Sequence, residues 1–479
     1  MTEVESVLTT NMELEHVLPS SWVIGELGGV DLGDQRLNRR LVETATQMAA
    51  QPTAPLNQAC ADWAATKASY RLFQNERVTE VSILAPHQAQ TQGRMAEHAL
   101  VLAVQDTTYL DYSTHLQTTG LGPIGTPQQK LRGLGQHSTL VLTPTGLPLG
   151  VLTQEIWARD PDAPELSDYE RRKRPIEEKE SYKWLTALRE TVQQTPDGVT
   201  VVSVCDREAD VYELFVEAER LQTGLLVRAT QDRALLDAET NKVWATVTAA
   251  PVSGQLQVHV PAKREEPARE ALVNVRFCQV TLKPPWRHKH PEPEPLPPIK
   301  LDLVLVQEVK PPDQVTPLEW PLLTNVPVPT FADAVERVKW YRCRWHIEVF
   351  FKVLKSGCRV EDCRLGDVER LKRFITLTSV IAWRLYWLTH INRHMPDAPC
   401  TLVLAEDEWH TLYAKIQRTA TFPTQPPTVR QAVHWIARLG GFLDRRRDGE
   451  PGIIVIWRGW QRLQDMADMW RISRADTYG

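Results

Sequence analysis

Two apolar runs about a hundred residues apart, ALVLAVQD (99–106) and GVTVVSVCD (198–206), each close on an aspartate. Short runs rich in valine and leucine read as strands buried on both faces of a sheet. Between them, HSTLVLTPTGLPLGVLTQEIW (137–157) sets two apolar runs around Pro144-Thr145-Gly146, a hairpin signal. EEKESYKWLTALRETVQQT (177–195) has helical periodicity, as does DREADVYELFVEAERL after the second run, and GLLVRAT (224–230) is a further strand. The order strand, hairpin, helix, strand, helix, strand predicts a mixed α/β sheet of ribonuclease H-like topology.

That topology gives the acids a use. Ligands of open α/β sheets collect at the carboxyl ends of strands, where Asp106 and Asp206 are expected. A third acid, Glu348, lies in the helical run FADAVERVKWYRCRWHIEVFFKVLKSG (331–357). On a helical wheel Tyr341, Arg344, Glu348 and Lys355 fall within an arc of about 60°, beside an apolar side formed by Ile347, Phe350, Phe351 and Leu354. Two aspartates and a glutamate suit a hard divalent cation, and two such ions can stabilise both oxygens of an in-line displacement at phosphorus. Each acid also has a local explanation. Asp106 can make a turn before Thr107-Thr108, Asp206 can cap the following helix, and Glu348 can form an ordinary i,i+4 pair with Arg344. The three together point to a metal-dependent phosphodiester enzyme.

The flanks are of a different kind. LGDQRLNRRLVETATQMAAQ, with Asp34 as N-cap, and DWAATKASYRLFQN predict a small helical module carrying Arg36, Arg39, Arg40 and Arg71 outward, either solvated or on phosphates. Residues 231–325 alternate in the β manner around a proline- and histidine-rich segment (283–300), and read as a β insertion. Beyond Asn392 the chain is mainly helical. A net charge of −5 excludes a uniformly basic nucleic-acid binder, yet Tyr341 to Arg373 holds nine Lys/Arg against five Asp/Glu. The most apolar helix, FITLTSVIAWRLYWLTHI (374–391), has Arg384 at its middle and reads as buried rather than membrane-spanning. The N-terminal residues lack the order of a signal peptide, and seven scattered cysteines make no disulfide framework, so a reducing cytoplasmic setting is expected. Cys343, His346, Cys358 and Cys363 lack the tight spacing of a zinc site.

AVQDTTYLDY, VCDREAD and YRCRWHIEVFFKVLK resemble the three catalytic blocks of the cut-and-paste DDE transposases of the IS4 family. Tyr341-x2-Arg344-x3-Glu348-x6-Lys355 keeps every spacing of the family signature. The likeness continues through LGDQRLNRRL, EKESYKWL, TPLEWPLLT and IARLGGFLDRRRDG, and so spans nearly the whole chain. It implies that Asp106, Asp206 and Glu348 are the catalytic acids and hold two Mg²⁺, for which Mn²⁺ substitutes. The implied reaction nicks the transposon end, forms and reopens a hairpin, and joins the end to target DNA. Trp320 matches the tryptophan that stacks on a flipped base. Tyr341, Arg344 and Lys355 match phosphate contacts, and Arg207 lies beside a metal ligand, either as a further DNA contact or in capping and salt-bridge duty. The implied partners are double-stranded DNA, as terminal repeats and target, and a second copy of the chain, with no membrane and a location on bacterial nucleoid DNA. The implied division is an end-binding domain (1–80), a catalytic domain (81–390) with its insertion at about 231–325, and a dimerisation domain (391–479). A DNA-binding regulator that no longer cuts, and a nuclease without strand transfer, are the alternatives. The segment WRHKHPEPEPLPP departs from the pattern of the family relative that the chain most resembles.

Overall fold

The computed structural model describes residues 21–60, 62–164, 166–236, 241–260, 268–285, 296–313 and 315–475. The centre of the proline- and histidine-rich segment (286–295) therefore lies outside the described residues, as does the polar N-terminal stretch.

The described residues open with helices α1 (Ser21–Leu27), α2 (Gln35–Ala50), α3 (Trp63–Gln74) and α4 (Glu80–Met95), with a single helical turn (Leu56–Ala59) between α2 and α3. Asp34 caps α2 as expected, its carboxylate accepting from the Arg36 amide, and Asp62 caps α3 through the Ala65 amide. Leu41, Val42, Ala45, Met48 and Ala49 are the buried stripe of α2, at the spacing that one helix face requires. Arg36, Arg39 and Arg71 point outward, and Arg39 and Arg40 both pair with Glu43.

The sheet comes next: β1 (Leu100–Asp111), β2 (Gly122–Ile124), β3 (Leu131–Leu142) and β4 (Pro148–Trp157), then helix α5 (Tyr182–Gln194) and β5 (Thr200–Cys205). Helix α6 (Tyr212–Arg220) leads to β6 (Gly224–Arg228), and β7 (Gly254–Val260), β8 (Arg269–Leu282), β9 (Ile299–Glu308) and β10 (Glu319–Thr324) form the insertion. The strand order is β2-β3-β1-β5-β6-β10-β9-β8-β7, with β4 also on β3. β1 is antiparallel to β3 and parallel to β5, so the path β4-β3-β1-β5-β6 has the ribonuclease H-like order. Val201, Val202, Val204 and Cys205 of β5 are all buried, as a central parallel strand demands. The insertion is part of the same sheet, because β10 pairs antiparallel with β6.

The first apolar strand does not end where it was expected to. β1 continues past Asp106 to Asp111, paired with β3 as far as Gly133. Thr107, Thr108, Tyr109 and Leu110 are strand formers with a partner strand beside them, so no turn forms. β5 is the strand that ends at this level.

The helices that follow the sheet are α7 (Phe331–Cys343), α8 (Trp345–Lys352), α9 (Val368–His394), α10 (Glu406–Gln417), α11 (Val429–Leu439) and α12 (Ile453–Ala475). α9 is the apolar helix, buried nearly all round, and its Arg384 donates to the Val403 carbonyl at 2.9 Å. α11 and α12 touch through glycine: a Cβ on Gly459 would stand 1.7 Å from the Ile436 carbonyl oxygen. α12 also reaches α2, where Trp460 Nε1 donates to the Ala49 carbonyl at 2.9 Å.

Candidate active site

The register of the parallel strands brings the two aspartates together. Val104 lies opposite Val204 in the β1–β5 ladder, so Asp106 and Asp206 each stand two residues beyond it on neighbouring strands. Adjacent strands run about 4.8 Å apart. Asp206 does cap, as local structure allowed, but it caps a single 3-10 turn (Arg207–Ala209) by accepting from the Glu208 amide at 2.8 Å. The helix expected directly after it begins only at Tyr212.

Glu348 sits in the first turn of α8 with its side chain 40% exposed. Arg344 joins it to the sheet. One guanidinium nitrogen donates to Glu348 Oε1 at 2.7 Å and another to Asp106 Oδ2 at 2.9 Å. Burial pushes the Asp106 carboxyl up to about 7; Arg344 pulls it down, while the charges of Asp206 and Glu348 push it up further. The three acids thus form one electrostatic group with a single guanidinium between two of them. Among the described residues no three His, Cys, Asp or Glu side chains stand ready-made as metal ligands. Arg344 takes up the oxygens that such an ion would need.

Tyr341 is buried, with its hydroxyl hydrogen-bonded to Arg228 and its ring edge-on to Trp320 of β10, centroids 5.4 Å apart. Lys355 leaves the arc that the helical wheel gave it. Residues Val353–Gly357 form a π-turn, and Lys355 Nζ donates to the Tyr109 carbonyl and lies 3.8 Å from Glu361. Arg207 is exposed on the 3-10 turn beside Asp206. The structure therefore joins Asp106, Arg344 and Glu348 by hydrogen bonds, with Asp206 near enough for its charge to act on Asp106, Tyr341 and Trp320 paired with each other, and Lys355 held along β1.

Three family models match the chain. Residues 19–78 match one described as Transposase DNA-binding, 186–385 one described as Transposase DDE domain, and 380–478 one described as Transposase Tn5 dimerisation domain. The chain belongs to the Tn5-type DDE transposases of the IS4 family. It is a DNA transposase that binds DNA and forms homodimers, and DDE domains depend on divalent metal, typically Mg²⁺. The DDE match takes in Asp206 and Glu348 but begins beyond Asp106. No helix among the described residues of the transposase is long and apolar enough to cross a membrane.

Two clusters around the transposase site were not read from the sequence. Tyr109, three residues along β1 from Asp106, donates its hydroxyl to Glu180 at 2.7 Å, and Arg159 grips both. Burial alone would raise the Glu180 carboxyl, but the hydrogen bonds from Arg159 and Tyr109 hold it at about 2. Lys183, nearly buried, stands 3.5 Å from Glu180 and 3.7 Å from Glu208, tying α5 to the turn after Asp206. Arg159, Glu180 and Lys183 line a cleft of about 830 Å³. In the second cluster Asp210, the last residue of DREAD, is fully buried. It accepts from the Thr230 and Gln231 amides and from Arg233, fixing the segment after β6. Its only sequence signal was an acid one helical turn beyond Asp206.

Proposed function

We propose that Asp106, Asp206 and Glu348 are the catalytic acids of this transposase and the ligands of its two metal ions, with Mg²⁺ native and Mn²⁺ accepted in its place. The observation that carries this reading is the matched position of Asp106 and Asp206 beyond Val104 and Val204, with Glu348 brought in by Arg344. The donor set fits: all the oxygens are carboxylate, which suits a hard cation, and burial, with the charges of Asp206 and Glu348 adding to it, raises the Asp106 carboxyl. Bound there, divalent ions would supply Lewis acidity and neutralise charge developing on phosphoryl oxygens.

The chain's own groups do the rest. Asp106 is held within the β1–β3 ladder and Asp206 stands one residue past the end of β5, fixed as the cap of its 3-10 turn, so their spacing is set before DNA arrives. Glu348 closes the third side from a helix. Arg207, Arg344 and Lys355 bear on backbone phosphates, and Tyr341 supports Trp320, whose indole takes the face of a base flipped from the end. One site suits nicking, hairpin formation, hairpin opening and strand transfer, because each is an in-line phosphoryl displacement with the same charge development. We assign end binding to residues 1–80, catalysis to 81–390 and dimerisation to 391–479, and place the protein in the cytoplasm on nucleoid DNA.

The test is cleavage of a terminal-repeat duplex with Mg²⁺ by Asp106→Asn, Asp206→Asn and Glu348→Gln. Each should lose on the order of 10³-fold or more in nicking, the several kcal/mol that metal stabilisation provides, while gel-shift binding of the duplex persists. Nicking at the wild-type rate by any variant would remove that residue from the site.

A further inference from the structure

We propose that Arg344 keeps the carboxylate site closed to divalent cations until transposon DNA draws it away, so that DNA binding and metal binding are thermodynamically coupled. The proposal rests on the reading of Asp106 and Glu348 as metal ligands.

The geometry is that of an internal counter-ion. The guanidinium spans from Asp106 Oδ2 at 2.9 Å to Glu348 Oε1 at 2.7 Å, and Arg344 and Asp106 are 238 positions apart in sequence. The Arg344 and Asp106 side chains are each only 15% exposed, so water screens the pair weakly. A metal ion cannot use those oxygens while the guanidinium covers them, and the two positive charges repel at that range.

Two features allow release. Arg344 stands at the junction between α7 and α8, and its long side chain is what reaches both acids, so a change of rotamer alone releases them without moving the backbone. Glu348 is 40% exposed, so that end of the bridge is open to solvent and to an incoming anion. The substrate of this site is a phosphodiester, an anion that must approach the acids through the space the guanidinium commands. Arginine binds phosphate in the same forked manner as carboxylate, so the incoming DNA offers Arg344 an equivalent partner and frees both acids. Linkage then requires DNA to raise metal affinity and metal to raise DNA affinity by the same factor.

The experiment is a Mn²⁺ titration read by the electron paramagnetic resonance of free Mn²⁺. It uses the full-length protein alone and with a terminal-repeat duplex taken from the DNA flanking the gene, with binding to DNA alone subtracted. For the wild type, the duplex should tighten Mn²⁺ binding on the order of tenfold or more. Arg344→Met without DNA should bind Mn²⁺ on the order of tenfold tighter than the wild type, and DNA should then add little. Arg344→Lys, which keeps the charge but cannot span two carboxylates, should fall between them. Equal Mn²⁺ affinity of the wild type with and without DNA overturns the proposal without any variant. So does wild-type-like coupling in Arg344→Met or Arg344→Lys. Failure of the site itself looks different: Asp206→Asn would then bind Mn²⁺ in the DNA complex as tightly as the wild type.

Discussion

Trp320 and Tyr341 meet edge to face, ring centroids 5.4 Å apart and planes inclined by 65°. The contact joins β10 to α7, with the Arg228 charge close enough to be felt by the Tyr341 hydroxyl. It leaves the Trp320 indole half-buried, with aromatic surface to offer a base. Trp320→Ala should slow hairpin formation by about 10- to 100-fold, the worth of one stacked base, and spare the first nick. Single-turnover assays that resolve the two products will decide. Equal loss at both steps would make Trp320 a packing residue only.

Asp210 and Arg233 form a buried ion pair at 2.6 Å, with the Asp210 side chain fully shielded. Asp210→Ala leaves Arg233 and two backbone amides without their acceptor and should cost about 3–5 kcal/mol in urea denaturation. Adding Arg233→Leu should recover part of that loss. A cost below about 1 kcal/mol for the single change would show that water replaces the carboxylate there.

Gly146, at the tip of the β3–β4 hairpin, has φ +95°, and a Cβ there would stand 2.9 Å from the His346 imidazole. His346 is pinned by Tyr386, whose hydroxyl lies 2.6 Å from Nδ1, so it cannot simply step aside. Gly146→Ala should lower stability by about 1–3 kcal/mol, from left-handed strain and overpacking together. A thermal melt matching the wild type would mean that the hairpin tip relaxes freely.

Acid should destabilise the fold through histidines buried neutral. Burial lowers His137 to about 3, His346 to about 4 and His390 to about 2. The unfolded chain takes up these protons near pH 6.5 and the folded one does not. Their contribution is therefore complete above pH 6.5 and is lost as pH falls from 6.5 to about 4 for His346, about 3 for His137 and about 2 for His390, about 2 kcal/mol per histidine at pH 5. Asp106, raised to about 7, acts in the opposite sense, so the comparison must be between variants. His137→Gln, whose partners are Thr107 and Gln105, should make stability between pH 7.5 and 5 fall less steeply than in the wild type, by about 2 kcal/mol. Parallel pH profiles would place the His137 proton elsewhere.

The sequence showed the sheet and the three acids because buried parallel strands leave continuous apolar runs, and both runs stop at the same point in the ladder. It showed less of the chain just beyond each acid. TTYLD after Asp106 is polar enough to look like a turn, and only the presence of β3 beside it makes it strand. The helical wheel placed Arg344 against Glu348 correctly, so the ordinary i,i+4 pair is real. The second contact, to Asp106, depends on how α8 packs on β1, which periodicity cannot state. Lys355 left its expected arc because a π-turn adds a residue to the helix, and nothing in VLKSG marks one. Asp210 and Glu180 went unread because their partners, Arg233 and Arg159, come from loops that the fold alone brings near.

The continuity of β10 with β6 has a mechanical consequence. From β5, which delivers Asp206, the sheet passes through β6 to β10, which delivers Trp320, with Leu322 paired to Arg228 on the way. Two strand spacings, about 10 Å, separate those strands, and hydrogen-bonded ladders rather than a hinge maintain the gap. With the roles proposed for Trp320 and Asp206, the sheet is a fixed gauge: the place for a base and the place for a phosphate keep a constant offset, and the DNA is the partner that bends to fit it.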